Sequence, residues 1–134
     1  MTPQRPHPAT DRPLDAPLLT FDISALLTQV KSEDTWKKGS RNGITLLKGQ
    51  GLRVVLVAMR AGTAIPSHRA DGPLSLQVVE GTLKFSAASQ EVTLGEGQVV
   101  TLQAGIPHSV EALEESAFLL TLATETPSPA EAQS

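Results

Sequence analysis

The sequence predicts an all-β domain of many short strands, a sandwich or barrel, with a short helix or arm on its N-terminal side. Three observations predict it. Apolar and polar residues alternate with period two: Leu74, Leu76 and Val78 against Ser75 and Gln77, then Leu83 and Phe85 against Thr82, Lys84 and Ser86. That period marks strands with one wet face. Glycines at 81, 95, 97 and 105 divide the second half into segments of four to eight residues. Finally, residues 60–123 contain no helical pattern long enough for a βαβ crossover, which disfavours an α/β fold.

The 134-residue chain sets a prior of one domain. Residues 1–17 carry five prolines, Pro3, Pro6, Pro8, Pro13 and Pro17, and no apolar period. Proline withholds a backbone donor and fixes φ, so this stretch is expected to be a poorly ordered tail. Residues 124–134, TETPSPAEAQS, are small, polar and acidic, and a second poorly ordered tail is expected there. The folded domain is expected over residues 18–123.

Residues 21–30, FDISALLTQV, are the one helix candidate. Ile23, Leu26, Leu27 and Val30 share the i, i+3, i+4, i+7 spacing of one face, and Asp22 stands where an N-cap belongs. An extended arm is the competing reading. Such a helix would lie on the barrel or on a partner subunit. Trp36 stands among charged residues and reads as a partly buried edge residue. From Gly43 the period changes, and GITLLKGQGLRVVLVAM reads as two strands around a KGQG turn at 48–51. The segments PLSLQVVE, TLKFSA, EVTL, QVVTL, PHSVEA and SAFLLTLA follow as further strands.

The formal net charge is −3 and the isoelectric point is near 5.5, with no long basic run, so nucleic-acid binding is disfavoured. There is no cysteine, which excludes disulfides, thiolate nucleophiles and cysteine metal ligands. The N-terminus has no apolar segment of a secretory signal, and the longest strongly apolar run, LRVVLVAM at 52–59, is far shorter than the roughly 20 residues of a membrane span. A cytoplasmic protein without membrane partners is expected.

Two stretches carry a resemblance. GTAIPSH at 62–68 with VVEG at 78–81 is similar to the first motif of the cupin family, in which Gly62, His68 and Gly81 match the anchors. GQVVTLQAGIPHSVEA at 97–112 is similar to the second motif through Gly97, Gly105 and His108. Gln103 replaces that motif's proline and Ala112 its asparagine. The resemblance covers about residues 43–123 and implies a cupin-like double-stranded β-helix, a jelly-roll barrel. Cupins are often dimers, and a homodimer is expected. The segments at 21–30 and 42–49 supply apolar surface that one small barrel is not expected to bury alone.

Metal-binding cupins typically draw two His and a Glu from the first motif and one His from the second. The corresponding positions here are His68, Ala70, Leu74 and His108, so two of the four side chains have no ligand atom. The resemblance thus implies no tight metal. A weak or adventitious divalent ion would have only His68, His108 and, if a bulge turned it inward, Asp71. The expected ligand site is a cavity with His68 and His108 as its polar groups and Ala70, Leu74 and Leu76 as its apolar walls. By strand parity the two histidines should face each other across the interior, roughly 3 to 8 Å apart given the sheet-packing distance. Arg69 is expected to face outward, with a role at the pocket mouth as the alternative, and Glu111, Glu114 and Glu115 to be solvated. His7, in the proline-rich tail, is expected to be incidental.

Three functions compete: a cupin that binds a small molecule without a tight metal; a metal-dependent enzyme of the dioxygenase or isomerase type; and a structural dimerisation module. The loss of two ligand side chains beside two retained histidines favours the first. No catalytic residue is assigned.

Overall fold

The computed structural model describes residues 12–124. Among the described residues two helices precede nine strands. Helix α1 spans Ile23–Ser32 and α2 spans Asp34–Lys38. The strands are β1 (Arg41–Lys48), β2 (Leu52–Met59), β3 (Ala64–His68), β4 (Leu74–Glu80), β5 (Leu83–Ala87), β6 (Gln90–Leu94), β7 (Val99–Leu102), β8 (His108–Ala112) and β9 (Ser116–Ala123).

The strands pair into two sheets, one of five strands in the order β1-β2-β9-β4-β7 and one of four in the order β3-β8-β5-β6. All seven ladders are antiparallel and each lies within one sheet. The architecture is therefore a double-stranded β fold of jelly-roll character. Met59, Leu76, Val78 and Phe118 of the larger sheet share one core with Leu83, Phe85, Leu94, Val110 and Ala112 of the smaller. Every one of these is buried. The period-two segments of the sequence are the origin of this core, because each strand sends alternate residues to the same face.

A second core lies on the opposite face of the five-stranded sheet. There Leu26, Leu27 and Val30 of α1 and Trp36 of α2 pack against Ile44, Leu46, Leu56, Ala58 and Ala117. Asp22 caps α1, accepting a 3.1 Å bond from the Ala25 N–H. Asn42 Nδ2 donates to the Val30 carbonyl (2.9 Å) and to Glu33 Oε1 (2.7 Å), which ties the end of α1 to β1. The apolar surfaces of 21–30 and 42–49, expected to need a partner subunit, therefore cover each other within one chain. Helix and strand differ in period, yet each offers one apolar face, and the short link between them folds one onto the other.

Trp36 differs from its expectation as well. It is buried, at 5% exposure, on a short helix that the sequence pattern does not predict. Its ring carries the Arg60 guanidinium, 4.2 Å from the centroid, and Arg60 donates to the Trp36 and Gly39 carbonyls at the end of α2. Lys31 of α1 pairs with Glu80 at the end of β4 and, at 2.7 Å, with Glu115 before β9. Burial alone would lower the Lys31 pKa; hydrogen bonds to Glu115 and Glu80 outweigh it and hold it above the ordinary value.

Of the N-terminal stretch expected as a tail, residues 12–17 are described, and they meet β1. The Lys48 N–H donates to the Leu14 carbonyl (2.8 Å), and Arg12 Nη2 donates to that of Thr45 (3.0 Å). The remainder of that tail, with His7, and the C-terminal tail beyond residue 124 lie outside the described residues.

Candidate functional site

His68 closes β3 and His108 opens β8, and the two are direct cross-strand partners. This corrects the sequence expectation in one respect: they are neighbours on one sheet, not residues facing across the interior. Side chains directly opposite on adjacent strands have Cβ atoms about 4.5–5.5 Å apart, which brings the rings together without any closure of the sheet. The ring centroids are 4.3 Å apart with planes inclined at 55°.

Both imidazoles are held in the same way. His68 Nδ1 lies 3.0 Å from the Pro66 carbonyl oxygen, and His108 Nδ1 lies 3.0 Å from that of Ile106. A carbonyl oxygen only accepts, so each contact is a hydrogen bond in the tautomer with the proton on Nδ1, and in that neutral tautomer Nε2 keeps its lone pair. Phe85 stacks on His108 at 5.7 Å and 13°, which fixes the plane of that ring. His108 is buried, whereas His68 is exposed at the rim.

The loop that leaves β3 and the loop that enters β8 are themselves joined. The Gly105 N–H donates to the Ala70 carbonyl (2.8 Å), with Gly105 at φ +79°, a conformation that glycine adopts without strain. Gly72 lies against the end of β9, so close that a Cβ added to it would stand 1.9 Å from the Ala123 carbonyl oxygen. The Ala123 N–H donates to the Pro73 carbonyl (2.9 Å) beside it.

These contacts frame a cavity of about 330 Å³. His68 and His108 of the smaller sheet line it together with Ala70, and Leu74 of β4 with Leu120 and Leu122 of β9 line it from the larger sheet. Arg69 and Asp71 belong to the exposed rim. Of the apolar residues singled out from sequence, Ala70 and Leu74 thus line the cavity. Leu76 sits deeper, in the core between the sheets, and is absent from the lining. Arg69, expected to face away, borders the mouth, because β3 ends at His68 and strand alternation no longer governs the next residue.

The β9 wall was not assigned from sequence. Leu120 and Leu122 alternate correctly within SAFLLTLA, but only the ladder that sets Leu74 against Leu122 and Leu76 against Leu120 brings them here. Glu111, Glu114 and Glu115 sit elsewhere. Glu111 pairs with Lys84 at 3.1 Å, raising the lysine pKa chiefly through that hydrogen bond. Glu114 accepts from Thr82 Oγ1 at 2.6 Å, and Glu115 belongs to the Lys31 cluster.

A profile of the family described as Cupin domain matches residues 55–123. The chain belongs to the cupin family. Among solved structures it is similar to a conserved protein of unknown function from Streptococcus pyogenes, at 21% identity and a TM-score of 0.68, over 85% of this chain and 94% of that one. A cupin superfamily protein from Desulfitobacterium hafniense is similar at 13% identity and a TM-score of 0.62, over 63% and 78% of the two chains. Salicylate 1,2-dioxygenase from Pseudoaminobacter salicylatoxidans is similar at 20% identity and a TM-score of 0.58, over 63% of this chain and 25% of that one. No curated protein matches the chain. At these identities the likenesses establish the fold alone.

Metal sites are frequent in cupins, and the residues here do not fit one. Ala70 and Leu74 carry no donor atom at positions of the ligand set, and two imidazoles fall short of the three or more protein ligands a tight site uses. Among the described residues no group of three or more His, Asp or Glu side chains is placed to hold a metal ion, so Asp71 does not complete the set.

Proposed function

We propose that this cupin binds a small, partly apolar molecule in the His68–His108 cavity and does so without a tightly held metal. The observation that carries the reading is the pair of imidazoles, each with Nδ1 beside a backbone carbonyl, bordering a cavity whose apolar walls include Leu74, Leu120 and Leu122. A concave, mostly apolar site with a few convergent polar groups is the usual form of a small-molecule site, and 330 Å³ lies at the lower end of their range of about 300–1,000 Å³. His68 and His108 would orient the ligand, and Ala70 and Leu74 would contact its apolar part. Leu76 would support Leu74 from beneath.

Native mass spectrometry with elemental analysis tests this on protein purified without added metal. The expected result is a retained organic molecule in the wild type that is missing from His68→Ala. About one Fe, Mn, Ni or Zn per chain, surviving dialysis against a chelator, would count against it and favour a metal-dependent activity.

A further inference from the structure

The proton positions on the two histidines constrain what the cavity recognises. Each ring spends its Nδ1–H on a carbonyl two residues earlier, Pro66 for His68 and Ile106 for His108. The ring nitrogen not engaged by these carbonyls is Nε2, which in the neutral Nδ1–H tautomer can only accept. Two acceptors are thereby held side by side, on rings 4.3 Å apart, with one ring further fixed by Phe85. Neither ring can satisfy the other while both are neutral. Of the cavity lining, Ala70, Leu74, Leu120 and Leu122 have no side chain that could donate, while Arg69, exposed at the rim, and Thr124 are the side chains of this chain that can.

We infer that His68 and His108 form a two-acceptor clamp, and that the molecule recognised is an uncharged one whose head donates two hydrogen bonds, such as a primary amide or a diol, on an apolar body. The inference rests on the cavity being a ligand site. Donors on the ligand fill both Nε2 lone pairs, and the apolar body displaces water from Leu74, Leu120 and Leu122. A carboxylate is the wrong head for this clamp, since it would set its own lone pairs against those of the two rings. Water, which donates twice, is the natural occupant when the ligand is away.

Benzamide, N-methylbenzamide and N,N-dimethylbenzamide serve as probes, because they offer two, one and no N–H donors on a common uncharged body. Benzoate is the anionic control. Binding is measured by calorimetry at about pH 8, above the ordinary range of imidazole titration, and histidine side-chain nitrogen NMR is recorded in parallel. The expected order is benzamide over N-methylbenzamide over N,N-dimethylbenzamide, with a loss of about threefold to tenfold for each donor removed. Benzoate is expected to bind more weakly than benzamide. In His68→Ala, a rim substitution that leaves the buried ring in place, the spread across the series should shrink. The NMR spectra should show a protonated Nδ1 and an unprotonated Nε2 in both rings.

Equal affinity across the series overturns the inference, as does tighter binding of benzoate. An undiminished spread in His68→Ala would make the order a matter of methyl bulk and would also overturn it. So would a proton resident on either Nε2, or one shared between them. If N,N-dimethylbenzamide binds as well as benzamide and shifts the His68 and His108 resonances, the clamp fails and the cavity remains a ligand site. If no compound perturbs either histidine, both fail.

Discussion

Gly72 is the residue on which the shape of the cavity depends most directly. A Cβ at this position would stand 1.9 Å from the Ala123 carbonyl oxygen and 2.9 Å from its carbonyl carbon. Both are backbone atoms, so no side chain can swing aside. The turn between β3 and β4 would have to move off the end of β9 by more than an ångström to reach ordinary contact. That movement would strain or break the Ala123 N–H bond to the Pro73 carbonyl. Overpacking of this kind costs about 1–3 kcal/mol, and a lost hydrogen bond adds about 1 kcal/mol. Restricting the unfolded chain returns about 0.4–1 kcal/mol for a Gly→Ala change. Gly72→Ala should therefore destabilise the protein by about 1–3 kcal/mol, and it should weaken any cavity ligand as well, since Gly72, Leu122 and Ala123 share the lining. Urea denaturation is the assay, reading a lower midpoint at unchanged slope. Gly105→Ala is the control. Nothing lies within 4 Å of the Cβ it would add, and only its φ of +79° resists the change, for about 1–2 kcal/mol of backbone strain. It tests stability without crowding β9. A Gly72→Ala protein within about 0.5 kcal/mol of wild type, binding benzamide normally, would refute the packing argument.

Three further outcomes are expected. The Lys31 pKa is raised in the folded state, so its contact with Glu115 and Glu80 contributes fully below the unfolded lysine value and is lost as pH climbs through the folded one. The difference in melting temperature between wild type and Lys31→Met should accordingly hold across neutral pH and shrink above about pH 10.5. Ser116 is fully buried, and its Oγ accepts from the Thr82 N–H at 3.0 Å, so Ser116→Ala should cost about 1–3 kcal/mol in chemical denaturation by leaving that donor unpaired. The chain is proposed to be a homodimer, and sedimentation at micromolar concentration checks it: a monomer mass alone would end the proposal. Because α1 already covers β1, the apolar residues left for such a contact include Leu52, Val99 and Leu113.

The period-two segments, the helix at residues 21–30 and the glycine spacing of the two motifs made the all-β class and the cupin likeness legible from the sequence alone. These features are local: a strand alternates faces and a helix repeats every 3.6 residues whatever the chain does elsewhere. The same parity put Leu74, Leu76, Val78, His108, Val110 and Ala112 on buried faces. Motif spacing likewise named His68 and His108 as a pair.

What the tertiary structure decided is which faces meet. Parity places a residue on one side of its strand but does not say which strand lies beside it, so the histidines were expected across the interior and turned out to be partners on adjacent strands. For the same reason Leu120 and Leu122 were readable as inward-facing yet could not be assigned to the cavity, a role that depends on β9 running beside β4. Leu76 followed the same alternation as Leu74, but one ladder step along β4 separates the cavity wall from the core. The apolar faces of α1 and β1 were equally visible from sequence, and only their folding together showed that one chain covers both. Even the chemical character of the site is tertiary in part. The residue type supplies an imidazole, but the carbonyls of Pro66 and Ile106 choose which nitrogen bears the proton.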